Sequence, residues 1–514
     1  MRKDDEAMAK TKRQRMKQMM AALLCGAMLM GMAGCGDKSK ESNASGSNVT
    51  LKWVMPGPGK QVDSERVWSK FNEELQNYLP GVSVSFEVIP TADYKQKYLL
   101  MNTGREEMDL VSTYTLDFNA EARNGSFLAI NDSMDKEAPE LKKQLPDWLW
   151  SYTTVDDKIY AVPVYQSMQS QVMGIRTPTA LANKYLDTKK AEQIFWASRT
   201  FTKEGYDVIE DYLKQLKDSG ELGLGLEPGS FQQQGYEQFL MPYAVKNGDE
   251  HPKVVNIWQT EETKYYYGRM AEWYKAGYIR QDILSVQKSS NDRGKEGGYT
   301  MWLDQTIKNS AEKDTNKYGM DITVIPLQDY FYIPSVAAAG GTAISSRSKH
   351  ATEAIKLLEL LNTDKGKDLY RLLVFGFEGE HYKKISDDRV ETIGYVGQAG
   401  STAPYGMLKW IVGNTQLAYD TQTEFEGWNH YIFDEINLQG EKSKLMGFKP
   451  KLDRIQTKLA QVLTVKGEYA SLGSGAVENW EQVYQEYMDK LELAGNQDII
   501  DDLQKQVDEF LAKK

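Results

Sequence analysis

Apolar and polar residues alternate at two places early in the chain, with helical spacing between them. Val49-Thr50-Leu51-Lys52-Trp53-Val54-Met55 alternates and then stops at Pro56-Gly57-Pro58-Gly59. This predicts a strand entering a turn-rich loop. Val67, Phe71, Leu75 and Tyr78 share one face of a helix over 64–78, which Pro80-Gly81 ends. Val82-Ser83-Val84-Ser85-Phe86-Glu87-Val88 alternates again, and a helix over 91–102 leads to the short apolar strand Met108-Asp109-Leu110-Val111-Ser112. Strand, helix, strand, helix, strand at this spacing predicts an α/β layer with a parallel sheet and right-handed crossovers. Ligands of such sheets bind beyond the carboxyl ends of the strands. Here those ends are the loops 56–60, 90–93 and 113–118.

Further along, residues 158–165 and 171–175 read as strands, and an amphipathic helix over 202–219 carries Val208, Ile209, Tyr212, Leu213 and Leu216. A helix follows near 262–275, then strands at 298–302 and 321–326. Gly340-Gly341-Thr342-Ala343-Ile344-Ser345 leads into a helix over 351–362, with Ala354, Leu357, Leu358 and Leu361 on one face. The C-terminal end reads as three helices: one through Leu452, Ile455, Leu459 and Val462, one through Trp480, Val483, Tyr487 and Leu491, and one through Ile500, Leu503, Val507 and Phe510. No internal repeat is present.

The N-terminal end has a different character. Arg2, Lys3, Lys10, Lys12, Arg13, Arg15 and Lys17 precede an apolar run from Met19 to Ala33, which closes at Met32-Ala33-Gly34-Cys35. Basic flank, short apolar core and small residues make a secretory signal peptide over 1–34; a permanent span needs roughly 20 apolar residues. A cysteine after Ala-Gly resembles the lipobox of bacterial lipoproteins, so Cys35 is the expected site of lipidation. Met32 departs from the usual Leu. Cys25 is preceded by Ala22-Leu23-Leu24, without the small residues a peptidase needs. Residues 35–48, rich in Ser, Asn, Gly and charge, read as a flexible tether. The implied location is the extracytoplasmic face of the cell membrane, held by lipid.

The formal net charge of the 514 residues is −11. Residues 1–34 hold seven basic and three acidic side chains, so the remainder stands at −15. That balance argues against nucleic acid as a partner. With the signal removed, Cys35 is the one remaining cysteine, so the folded body relies on core burial rather than disulfides. Most of the chain's 30 Tyr, 11 Trp and 15 Phe must be core, but they are a rich supply for any binding cleft.

At this point the chain resembles the extracellular solute-binding proteins of ABC importers, the class that contains maltose-binding protein. More narrowly it resembles the lipoprotein branch with a C-terminal domain of unknown function. The resemblance rests on the signal with Cys35, the opening strand and helix, DDKIYAVPVYQSMQSQVMGIR (156–176), GGYTMWLDQT (297–306), AGGTAISSRSKHATEAIKLLELLNTDKGKDLYRLLVFGFEGEHYKKI (339–385) and MGFKPKLDRIQTKLAQVL (446–463). It covers about 49–514, more loosely between 220 and 290. It implies an α/β, two-lobed periplasmic-binding-protein-like fold with hinge crossovers and a helical C-terminal extension. The first lobe would be 50–162 plus 325–375, and the second 163–324 plus 376–514. The first crossover would be 162–166, with a return near 321–326 and a further one after 351–374.

The resemblance also implies a sugar ligand, and sugar recognition needs flat apolar faces with planar polar groups beside them. Trp302, after a strand where members of the class carry a ligand-facing tryptophan, is the leading candidate, with Asp304 two residues on. Tyr165 and Gln166 fall at the inferred hinge. Tyr114 and Asp117 follow a strand end. Trp410 and Trp428 lie in aromatic, turn-rich stretches; Trp53, inside a strand, reads as core. For each candidate a packing or surface-turn role is the alternative.

Enzyme signatures are weak. His251, His350, His381 and His430 stand singly, without metal-ligand spacing, and neither a Walker loop nor a G-x-S-x-G elbow occurs. No cofactor or metal is expected; residues 362–368 resemble a calcium loop faintly and a helix-end turn better. The expected function is capture of an oligosaccharide or related polar solute by lobe closure, with delivery to separate ABC permease subunits. Two alternatives are a surface lipoprotein hydrolase or lyase acting on polysaccharide, and a helical glycan-capture lipoprotein. The alternating strands at 49–55 and 82–88 argue against the last.

Overall fold

The computed structural model describes residues 48–169, 172–196, 201–306, 310–327, 332–336, 340–397, 401–425 and 427–514. The predicted signal peptide, Cys35 and all of the tether but Asn48 lie outside the described residues. Asn48–Lys514 forms one compact unit, and the chain within it alternates between two hydrophobic cores.

The alternating stretches form strands because one side of each is buried against helices. Strand β1 (Val49–Gly57), helix α1 (Ser64–Leu75), strand β2 (Val82–Pro90), helix α2 (Thr91–Thr103) and strand β3 (Leu110–Ser112) follow in order, with β2 and β3 parallel to β1 on its two sides. A short helix α3 (Phe118–Arg123) comes next, and strand β4 (Ala161–Pro163) ends the first pass. The stretch 158–165 is not one strand. Residues 158–159 turn back on 154–155, and Asp156 and Asp157 both take positive φ (47° and 65°) in the connecting turn, so pairing restarts at Ala161.

The chain then crosses to strand β5 (Met173–Pro178), helix α4 (Lys203–Asp218), strand β6 (Gly225–Leu226), helix α5 (Glu261–Lys275), strand β7 (Tyr299–Gln305), helix α6 (Ser310–Tyr318) and strand β8 (Ile322–Pro326). It returns at strand β9 (Gly341–Ile344), followed by helices α7 (Ala351–Asn362) and α8 (Lys367–Phe375). Helices α9 (Gln456–Glu468), α10 (Trp480–Leu493) and α11 (Asn496–Leu511) close the chain. The first-lobe sheet has the order β2-β1-β3-β9-β4, and the second-lobe sheet the order β8-β5-β7-β6.

Three segments link the lobes: residues 164–172, residues 327–340 and a short passage around 445–449. The last passage corrects an expectation. Residues 376–446 do not join the second lobe. Tyr382, Val390, Tyr405, Met407, Ile411, Tyr419 and Tyr431–Phe433 pack into the first core, and the second core resumes with Leu445 and Phe448. Phe375 at the end of α8 starts this packing, with ring centroids 5.3 Å from Tyr419 and 6.1 Å from Tyr382. An aromatic cluster on the end of α8 therefore keeps the chain on the first lobe for another seventy residues or so.

In the second lobe a buried ion pair fixes α6 across the sheet. Arg176 of β5 donates from Nε to Asp314 Oδ2 at 3.0 Å, and its other nitrogens donate to the carbonyls of Gly174 (2.9 Å), Gln305 (2.6 Å) and Asp304. The guanidinium is thus satisfied on every side, which a buried charge requires. Among the described residues, no helix is long and apolar enough to cross a membrane.

Candidate functional site

A pocket of about 330 Å³ opens where the carboxyl end of β3 meets the crossing segments. Thr113–Asn119 form one wall, Tyr152 and Thr153 a second, and Val336, Gly340 and Lys449 the rest. The first lobe thus supplies the strand-end loop, while the second and third crossing segments supply Gly340 and Lys449.

The loop after β3 is held by backbone geometry. Thr113 N donates to Gly341 O at 2.8 Å, and Gly341 N donates back to Thr113 Oγ1 at 2.8 Å. Gly340 takes φ +67°, and a Cβ there would fall 2.5 Å from Thr113 Oγ1. Only glycine allows the return segment to lie this close to the loop. Thr115, at φ +64°, turns the loop, and Asp117 caps α3 by accepting from Ala120 N at 3.1 Å.

Tyr114 lines this pocket, and Trp410 packs on it from outside the lining. The Tyr114 ring, which lines it, lies 4.8 Å from Trp410, edge to face. Both are partly exposed at the edge of the first core. Asp117 also lines the pocket; its side chain is exposed and engaged as the helix cap. The polar lining includes Asn119, whose Oδ1 is buried and accepts no hydrogen bond among the described residues.

The hinge residues stand apart from the pocket. Tyr165 is buried, 4.8 Å from Phe433 and 6.3 Å from Trp148, and burial pushes its phenol up to about 12. Its carbonyl accepts from Thr415 N (2.8 Å) and Thr415 Oγ1 (3.1 Å). Gln166 is half-buried, and its carbonyl accepts from Asn437 Nδ2 at 2.6 Å. Asn437 Oδ1 also accepts from Met168 N at 3.0 Å, so this one buried side chain grips the first crossing segment twice. Asn437 ends a π-helical turn (Tyr431–Asn437), a distortion found often at functional sites.

Trp302 requires a correction. It is fully buried, 5.1 Å edge-on from Tyr318, in a small core with Tyr299 and Ile322. Both faces of β7 are covered, one by the main second core and the other by α6, so Trp302 presents no surface to a ligand. Asp304 likewise does not line the pocket. Its carboxylate lies between Arg293 (3.5 Å) and Lys317 (3.4 Å) on the second lobe. Trp428 packs on Phe425 at 5.5 Å, on the edge of the first core outside the pocket lining.

Sequence reasoning missed Asn119, Tyr152, Thr153 and Lys449. Asn119 and Thr153 carry no pattern of their own. For Lys449 the one available signal was the Gly447 to Pro450 interruption ahead of the last helices. Burial and the neighbouring Arg123 bring the Lys449 ammonium down to about 8. Among the described residues, no group of three or more His, Cys, Asp or Glu side chains could hold a metal.

Residues 444–512 match the model of a domain of unknown function, DUF3502. Over 510 residues the chain is 23% identical to a carbohydrate ABC transporter substrate-binding protein of Streptococcus pneumoniae serotype 4 (strain ATCC BAA-334 / TIGR4), covering 95% of this chain and 97% of the relative. Its structure resembles the crystal structure of the N-glycan transport solute binding protein NgtS from Streptococcus pneumoniae, with TM-score 0.75 and 21% identity over 90% of this chain and 100% of that one. Against NgtS in complex with Man5GlcNAc the TM-score is 0.63 at 21% identity, over 90% of this chain and 99% of that one. The chain therefore has the two-lobed α/β fold of the extracellular solute-binding proteins, ends in a DUF3502 domain, and is related along nearly its whole length to a carbohydrate ABC transporter substrate-binding protein.

Proposed function

We propose that this protein captures an oligosaccharide between its lobes and delivers it to the permease of an ABC importer, tethered to the membrane by lipid on Cys35. The observation that carries the reading is the pocket itself. The partly exposed Tyr114 ring lines it, with Trp410 packed against that ring, and the polar side chains of Thr115, Asp117 and Asn119 line the same wall. This is the pairing of apolar face and polar group that sugar rings require.

Closure follows from the lobe connections. Three segments cross between two separately packed cores, so the lobes can rotate while each core stays intact. A solute that touches both lobes stabilises the closed form by the contacts made only there.

The experiment is calorimetric titration of residues 36–514 with oligosaccharides, monosaccharides and short peptides, with each mixture assayed for product. Saturable one-to-one binding of an oligosaccharide without turnover is expected. Product formation would overturn the capture reading in favour of a polysaccharide hydrolase or lyase. Radiolabelled palmitate incorporated by the full chain, and lost in Cys35→Ser, tests the anchor.

A further inference from the structure

Lys449 enters the pocket from the third crossing segment, at the start of the DUF3502 match, and is largely buried there. Its Nζ donates to the carbonyl of Tyr152 at 3.2 Å, and among the described residues no carboxylate pairs with it. An ammonium taken out of water without an anion is unfavourable, and here its pKa is lowered to about 8, first by burial and then by Arg123. Arg123 is itself engaged, with Nε 3.1 Å from Asp156 Oδ2. The one carboxylate among the lining residues, Asp117, is exposed and caps α3. Among the described lining residues the pocket therefore holds one under-compensated cation, Lys449.

We infer, building on the oligosaccharide reading, that this pocket selects glycans bearing a carboxylate, as in a uronic or sialic acid residue. The anion pairs with Lys449 Nζ. Because Lys449 belongs to the C-terminal domain and the facing loop to the first lobe, the acidic residue bridges two parts of the fold. That would give DUF3502 a direct part in specificity.

The test compares matched pairs by calorimetry on residues 36–514, which contain the whole compact unit: sialyllactose against lactose, and trigalacturonate against its carboxyl-reduced trimer. The expected result is at least tenfold tighter binding of the acidic member of one pair. That ratio should collapse towards one in Lys449→Met, which keeps the aliphatic stem, and survive in part in Lys449→Arg. Equal affinity within each pair, or an unchanged ratio in Lys449→Met, would overturn the inference. So would binding of neutral glycans alone, which leaves the oligosaccharide reading standing. Binding of no sugar of either kind would overturn both.

Discussion

The Tyr114 and Trp410 rings meet edge to face at 4.8 Å, although nearly three hundred residues separate them in sequence. One sits on the loop after β3, and the other on a short helical turn (Lys409–Val412) that the first lobe gains from its late segment. The pair makes a corner of ring surface beside the pocket. Trp410→Ala should weaken oligosaccharide binding at least tenfold, about 1.4 kcal/mol. Because the ring is only partly buried, folding stability should fall by about 1 kcal/mol. Titration and thermal melting of the same sample check both numbers; a large stability loss with unaltered affinity would make Trp410 a packing residue.

Gly340 offers a sharper test of the loop. Gly340→Ala must either displace Thr113, whose Oγ1 would lie 2.5 Å from the new Cβ, or abandon φ +67°. A cost of about 1–3 kcal/mol is expected, read as a fall in urea midpoint at constant slope. Gly125→Ala isolates the backbone part, since Gly125 has φ +76° with nothing within 4 Å of a Cβ. Equal costs at the two positions would remove the case for a close contact at Gly340.

Much of the fold is legible in the chain, and its limits have physical causes. Alternation at 49–53 and 82–87 marks strands because buried residues there face the first core while their neighbours are partly exposed; the strands found are Val49–Gly57, buried on both sides from Trp53 onward, and Val82–Pro90. Alternation fails at Trp302 for the opposite reason. Residues 299–303 are buried on both faces, so no period separates the core side from a ligand side. The lobe boundary at 376 fails because the following segment reaches the first core through scattered aromatics rather than a periodic face. Lys449 and Asn437 depend on where distant segments cross, and local pattern carries no such information. Tyr114 and Asp117, which line the pocket, follow a strand end, a position that local pattern does reveal.

Asn437 is expected to control the hinge. Asn437→Leu removes the acceptor of Met168 N and the donor to Gln166 O, and stranding the buried amide should cost about 1–3 kcal/mol. Asn437→Asp keeps the acceptor and should recover part of that loss. Small-angle scattering with and without a bound oligosaccharide reads the lobe motion directly. The Leu variant should show an altered free-state radius, and an unchanged radius in both states would confine Asn437 to a stability role.

Asp420 gives the protein a pH signature. It is 8% exposed, its Oδ1 accepts no hydrogen bond among the described residues, and burial followed by Glu424 pushes the carboxyl up to about 6, against the pull of Lys409 and Arg389. An unfolded aspartate titrates near about 3.9, so between these two values the folded chain binds more protons than the unfolded one. Stability from this group is therefore present below pH 4 and is lost as pH rises through 6. Asp420→Asn removes the charge without removing the shape. The variant should melt with the parent at pH 4 and above it at pH 7, with the difference opening between pH 4 and 6. A difference that stays constant from pH 4 to 8 would mean that Asp420 carries its charge in the folded state as easily as in water.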